Sequence, residues 1–258
     1  MDFILIAVFA FIGSMLTFFS GFGLGTILTP IFILFFPVEI SIALTAIVHF
    51  LNNCFKLILI GKHLNYKVSL YFGGAGVLSA LAGAYTLSLF SAENILYSYS
   101  WGQNIINVPL LHFIIGVLFI IFSILEIIPE SKQKLAIKNS ALLIGGGVSG
   151  FFGGLSGHQG ALRSIFLLKY GLTKESFIAT GVVIACFIDV SRISIYSTQF
   201  YNDINFEVIP LLAIALGSAF TGAMFGKRFL KKINIRFMNI LVGVLISIMG
   251  LLMIFGLI

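Results

Sequence analysis

Charge is scarce in this chain. Of its 258 residues only 9% are Asp, Glu, Lys or Arg, whereas a soluble domain carries about 25%. So few charged side chains do not cover a water-facing surface, which excludes a soluble enzyme and a disordered chain. Cysteine is rarer still. Cys54 and Cys186 both sit inside apolar stretches and read as small buried hydrophobes, which excludes a secreted disulfide scaffold and suggests no metal ligation. The alternating segments of roughly ten residues that mark outer-membrane barrels are also missing. The opening MDFILIAVFAF has no basic leader and no small-x-small cleavage site, so it reads as a retained first membrane segment.

What is present is hydrophobicity. Apolar residues make up 59% of the chain, and the mean hydropathy is +1.13. The expectation is an all-α polytopic membrane protein. The net charge of +6 is spread through loops between apolar segments, the pattern of cytoplasmic membrane loops rather than of a nucleic-acid surface. The lipid bilayer is the expected partner and nucleic acid is not. A homo-oligomer stays open.

Eight apolar stretches stand out: 3–36, 40–61, 69–91, 108–128, 139–170, 176–197, 207–226 and 237–257. Six suit a single crossing of ~30 Å of hydrocarbon. The stretches 3–36 and 139–170 are too long, since either would make a rod of roughly 50 Å as one helix. Each is interrupted, by SGFGLGTILTP (20–30) and by GGLSGHQG (153–160). Glycine runs and proline break helices, so each long stretch should fold back as a hairpin of short or partial helices, spanning or re-entrant.

The positive charges agree. Lys56, Arg163 and Arg192 lie within apolar segments, and the other Lys and Arg fall in or beside loops 62–68, 129–138, 169–175 and 227–236. Those loops are expected on the cytoplasmic face. The loops near 37–39, 92–107 and 198–206 hold Glu39, Glu93 and Asp203 but no Lys or Arg, and are expected outside. The map closes only if 139–170 starts and ends on the same side, as a hairpin does.

Two halves then run in one order: hairpin, helix, helix, helix. A shift of 135 residues superposes Gly25 on Gly160, Ser41 on Ser176 and Thr45 on Thr180. GAYTLSLF from Gly83 resembles GAMFGKRF from Gly222, and GVL recurs at 116–118 and 243–245. The first half carries an extra outside loop, YSYSWGQNIIN (97–107). Residues 1–130 and 131–258 are therefore expected to be two repeats within one membrane domain. With an odd number of crossings besides each hairpin, the second repeat is inverted. Inverted repeats meeting at broken helices mark secondary transporters with a midplane site; a duplication without a transport role is the plainer alternative.

The first half carries GFGLGTILTPIFIL (21–34), followed by Ala43, Thr45 and Ala46. The second carries GGGVSGFFGGLSGHQGALRSIFLLKYGL (145–172), followed by ATGVVIACFIDVSR (179–192). On these motifs, nearly the whole chain resembles the TauE/SafE sulfite-exporter family of membrane transporters. The resemblance implies export of sulfite or organic sulfur anions across a bacterial inner membrane, no cofactor and no enzymatic activity. At the second hairpin the chain departs from the family's glycine cluster and proline, with His158, Gln159, Gly160 and Arg163 in their place.

A helix broken near the midplane frees backbone N–H groups and directs partial positive charge inward, which suits a small anion. The expected binding residues are Gly21, Gly23, Gly25, Thr26, Ser156, Gly157, His158, Gln159, Gly160 and Arg163, with Ser20 and Thr29 as further hydroxyl donors. The glycines spaced by four, Gly146, Gly150 and Gly154 among them, equally suit close helix packing. Arg163, deep in the membrane, needs an anion or an internal partner. His158 is either a proton carrier or a structural histidine. Asp189 and Arg192 are three apart on one helix and can pair; Asp189 also offers a charge to Arg163, or a proton acceptor. His49, Asn52, Asn53 and Lys56 form a polar stripe on the related first-half helix, a candidate for coupling or gating with Asp189 and Arg192. Lys56 could instead snorkel to the interface. No metal site emerges.

Two rivals remain. An anion channel would share the basic lining. GLSG (154–157) matches the serine motif of intramembrane proteases, but no histidine follows His158, and one only two residues from Ser156 is badly placed to activate it.

Overall fold

A computed structural model of the chain describes residues 3–20, 23–90, 94–128, 139–200, 208–229 and 235–258. The expected order of helices is found among the described residues. The first long stretch is α1 (Phe3–Ser20) and α2 (Gly25–Ile33), and the second is α6 (Asn139–Ser156) and α7 (Gly160–Lys169). The remaining helices are α3 (Val38–Ile60), α4 (Tyr66–Ser88), α5 (Leu110–Ile127), α8 (Lys174–Gln199), α9 (Ile209–Phe229) and α10 (Ile235–Ile254). Five of the helices are long and apolar enough to cross a membrane. Large apolar side chains face outward, as at Ile58 (82% exposed) and Leu78 (72%). Water would reject such a surface, and hydrocarbon accepts it.

Local chemistry sets several boundaries. Asn65 caps α4 by accepting from the Val68 N–H at 3.1 Å, and Thr173 caps α8 by accepting from the Ser176 N–H at 3.3 Å. Such caps satisfy N–H groups that the first turn leaves without partners. The α6–α7 break turns at Gly157, whose φ of 81° is the left-handed region that glycine enters without steric cost.

The segment joining α4 to α5 is not wholly irregular. Residues Ile95–Trp101 (β1) and Asn104–Pro109 (β2) form a two-stranded antiparallel hairpin. Its two-residue turn is Gly102–Gln103, with Gly102 at φ 63° and no non-glycine residue at positive φ among those described, the pattern of a type II′ turn. The Tyr97 and Tyr99 hydroxyls donate to the carbonyls of Ile254 and Phe255, so the hairpin closes off the end of α10.

Glycine sets the closest helix crossings. A Cβ on Gly146 would lie 2.1 Å from the Phe72 carbonyl oxygen, one on Gly150 2.3 Å from that of Gly76, and one on Gly154 2.2 Å from that of Ala80. That seam joins α6 to α4, and it is the packing role expected of these glycines. Gly222 repeats the device between α9 and α1, where a Cβ would lie 2.2 Å from the Phe11 carbonyl. Gly116 and Gly250 face each other across α5 and α10, where the Ser123 and Ser247 hydroxyls also bond.

Several helix contacts exchange when the halves are swapped. α4 packs on α6 as α9 packs on α1; α4 on α8 as α9 on α3; α2 on α3 as α7 on α8. α3–α8 and α5–α10 pair across the centre. The motifs beginning at Gly83 and Gly222 hold matching places, since Gly83 abuts the Phe151 carbonyl of α6 as Gly222 abuts that of Phe11 on α1.

Candidate functional site

The two breaks meet. A Cβ on Gly25, the first residue of α2, would lie 3.3 Å from the Gly157 carbonyl oxygen, with Thr45 of α3 alongside. A Cβ on Gly157 would lie 3.2 Å from Arg192 Nη1 and 3.3 Å from Thr29 Oγ1. Thr29 Oγ1 and Thr45 Oγ1 are both buried without a hydrogen-bond partner among the described residues. Pro30 follows at once, and its missing N–H takes from the Thr26 carbonyl its donor four residues on. The tips thus bring together hydroxyls, carbonyls and a guanidinium in a fully buried spot.

The broken helices are expected to free backbone N–H groups, but two of these N–H groups are paired. The Thr26 N–H donates to the Gly23 carbonyl at 3.1 Å, and the Arg163 N–H to that of Gln159 at 3.1 Å. Neither α2 nor α7 has a side-chain cap. Gln159, at the cap position of α7, uses its side chain elsewhere.

That side chain organises a buried network on α3, α7 and α8. Gln159 Nε2 donates to Asp189 Oδ1 at 3.0 Å, and Gln159 Oε1 accepts from Arg163 Nη1 at 3.3 Å. Arg192 Nε donates to the same Asp189 oxygen at 3.0 Å, and Nη2 lies 2.9 Å from it as an ion-pair contact without hydrogen-bond geometry. Arg192 Nη1 reaches the Gly153 carbonyl at 3.3 Å. The other Asp189 oxygen lies 2.6 Å from His49 Nδ1. Asp189 and Arg192 therefore pair on one helix as expected. Between Asp189 and Arg163, however, stands the Gln159 amide. It spans them because one end of an amide accepts and the other donates.

The polar stripe of α3 faces inward. Asn53 Nδ2 sits 3.2 Å from His49 Nδ1, and Asn52 Oδ1 accepts from the Ser14 hydroxyl of α1 at 3.1 Å. Lys56 does not snorkel. It is 2% exposed, donates to Thr17 Oγ1 at 3.4 Å and lies over the Phe18 ring. Lys56 and Arg163 line one cavity, closed by Thr17, Phe18, Asn53, Phe177, Ile178, Gly181 and Val182.

Other expected residues lie around the breaks, and His158 Nε2 is buried without a hydrogen-bond partner among the described residues. His158 Nδ1 donates to the Ser156 carbonyl at 2.9 Å, and its ring packs on Phe119 and stacks on Phe122 of α5. The Ser156 hydroxyl donates to the Phe152 carbonyl at 3.0 Å; the imidazole engages the carbonyl of Ser156, not its hydroxyl. Gly23 lies against the His49 ring, where a Cβ would come 2.5 Å from Nε2. Gly160 begins α7. Gly21 and the Ser20 side chain lie outside the described residues, as do loop 129–138 and positions 201–207 and 230–234.

Sequence reasoning missed Tyr196 and Ser149. The Tyr196 hydroxyl, on α8, donates to the Gly154 carbonyl, and the Ser149 hydroxyl donates to the Gln159 carbonyl at 3.0 Å. Tyr196 follows Arg192 by one helical turn, so its spacing pointed to the site. Thr17 carried no such signal.

An all-helical bundle around two converging broken hairpins, with apolar faces outward and cations inside, defines a polytopic membrane protein of transporter build. Residues 5–253 match the family described as Sulfite exporter TauE/SafE, and the chain belongs to that family of membrane transporters. Comparison with curated proteins and with solved structures found no match.

Proposed function

We propose that the protein is a secondary transporter. It exports sulfite or small organosulfur or carboxylate anions across a bacterial inner membrane, through a site between the two broken hairpins. Residues 1–130 and 131–258 form inverted repeats, and loops 62–68, 129–138, 169–175 and 227–236 face the cytoplasm. The exchange of helix contacts between halves supports the repeat, and the loop charges support the sidedness.

One observation carries the reading: the tips touch, with Gly25 against the Gly157 carbonyl and Thr29 and Arg192 around it. Backbone, unpaired hydroxyls and a guanidinium in a buried centre suit a small oxoanion. A site formed where two related hairpins meet opens to either side as one half moves on the other.

The test is sulfite counterflow in liposomes. A transporter gives saturable uptake driven by trapped unlabelled sulfite. Gly25→Leu should abolish it while the protein still elutes as one folded species, because the side chain would drive the tips apart. Flux that never saturates and needs no trapped anion would make the protein a channel.

A further inference from the structure

The β1–β2 ribbon has two chemically different faces. Along β1 the side chains alternate, with Tyr97, Tyr99 and Trp101 on one face and Ser98 and Ser100 on the other, as the period of two in a strand requires. The register carries the division across to β2. Val108 pairs with Tyr97 and Ile106 with Tyr99, while Asn107 pairs with Ser98. On the serine face the Ser98 hydroxyl donates to Asn107 Oδ1 at 2.7 Å. No Asp, Glu, Lys or Arg occurs from residue 94 to residue 125.

The aromatic face is turned toward the helices. The Tyr99 hydroxyl donates to the Phe255 carbonyl at 2.7 Å, and that of Tyr97 to the Ile254 carbonyl, groups that the end of α10 leaves without helical partners. A Cβ on Gly256 would lie 2.9 Å from Val108 Cγ2, so β2 rests on the same helix end. Trp101 shares that face, two residues nearer the turn than Tyr99. Yet it is 62% exposed, whereas Tyr97 and Tyr99 are half-buried. The ribbon therefore carries Trp101 past the helix end, still facing the way the tyrosines face.

The surroundings say what that face meets. The end of α10 exposes Leu251, Phe255 and Leu257, an apolar strip that hydrocarbon accepts. The aromatic face continues this strip. Indole and phenol rings have an apolar body and a polar tip, and both are satisfied at the boundary between lipid headgroups and acyl chains. A stretch without charge has nothing to attract an anionic or a cationic surface, and fits a neutral one.

We propose that the ribbon is an interfacial lipid-binding element. Its aromatic face lies on the bilayer boundary beside α10, with the Trp101 ring among the lipids and the serine face in water. The partner is a zwitterionic phospholipid surface, held by ring burial and neutral hydrogen bonds rather than by charge. The Trp101 indole supplies one donor, and Asn104, opposite it in the register, supplies an amide. The proposal goes beyond the transporter reading and is independent of what is carried.

The test uses the full chain in phosphatidylcholine vesicles. Trp101 is the only tryptophan, so tryptophan emission reports the ribbon alone. Two quenchers are compared: lipid brominated near the headgroup end of its acyl chains, and aqueous iodide on both sides of the membrane. Brominated lipid should remove most of the emission, and iodide little of it. Replacing part of the phosphatidylcholine with an anionic phospholipid should leave that pattern unchanged. Moving the indole to the other face, in a Trp101→Ser, Ser100→Trp protein, should reverse the two quenchers. Strong iodide quenching of the native chain, with little from brominated lipid, would place the ribbon in water and overturn the proposal. Emission sheltered from both quenchers would mean that protein covers the face, a second copy of the chain for example, and overturns it equally. So does an exchanged protein that keeps the native pattern, because the two faces would then be equivalent.

Discussion

His49 Nδ1 lies 2.6 Å from Asp189 Oδ2 and so ties α3 to α8 across 140 positions of sequence. With Arg192 on the other carboxylate oxygen, Asp189 holds together two helices that pair across the centre of the molecule. It also reaches the second hairpin through Gln159. One carboxylate thus joins the polar stripe of the first half to the break of the second.

Asp189→Asn should be strongly destabilising. It leaves the fully buried Arg192 guanidinium without its carboxylate, and breaking a buried pair from one side costs about 3–5 kcal/mol. The thermal midpoint in detergent should fall. Added sulfite should raise the variant's midpoint more than the native one, because an anion replaces the lost charge. A midpoint unchanged by the substitution would show that Arg192 is held by other groups.

Arg163→Lys should weaken anion binding by about 1–3 kcal/mol, since the charge stays and the planar fork is lost. Arg163→Gln should weaken it further. Gln159→Leu cuts the bridge from Arg163 to Asp189, and should slow counterflow more than it weakens binding. Affinity and exchange rate measured on the three proteins decide the matter. Unaltered affinity in Arg163→Gln would make this arginine structural.

Neighbouring glycines on α6 should differ sharply. Gly146→Ala sets a methyl 2.1 Å from the Phe72 carbonyl, whereas nothing lies within 4 Å of a Cβ on Gly147. The first substitution should cost about 1–3 kcal/mol or more, as overpacking does. Gly147→Ala should be neutral or slightly stabilising. Fluorescence-detected thermal unfolding of both variants reads the difference; equal midpoints would mean that α4 and α6 are not in backbone contact.

Much of this was legible in the sequence. Glycine and proline act locally, so the breaks near residues 20–25 and 157–160 could be read without knowing any neighbour. The Asp189–Arg192 pair lies within one helical turn and needed no tertiary information. The His49–Asp189 contact and the Gln159 bridge depend on how three separate elements face one another, which spacing along the chain does not encode. The stripe on α3 announced that it had polar partners without saying which. Lys56 stayed open between two readings for a related reason: a lysine near a helix end reaches the interface unless a neighbouring helix closes over it, and here α8 does. The β1–β2 hairpin was read only as a loop, because its exposed, Ser- and Asn-containing strands lack a buried alternating face.

Sidedness is checked by labelling in a Cys54→Ala, Cys186→Ala background. Glu175→Cys, exposed at the start of α8, should resist an impermeant thiol reagent applied to intact cells and react once the cells are opened. Ser100→Cys, exposed on β1, should react in intact cells. Outside labelling of Glu175→Cys would undo the second hairpin and the inversion with it.

The α5–α10 pair has a mechanical consequence. Facing glycines bring the two helices together, bonded hydroxyls pin them, and the tyrosines of β1 clamp the far end. α10 also touches α2, and α5 touches α7. The short arms of both hairpins therefore lean on one stiff beam, so that a displacement of either arm would be passed through it to the other.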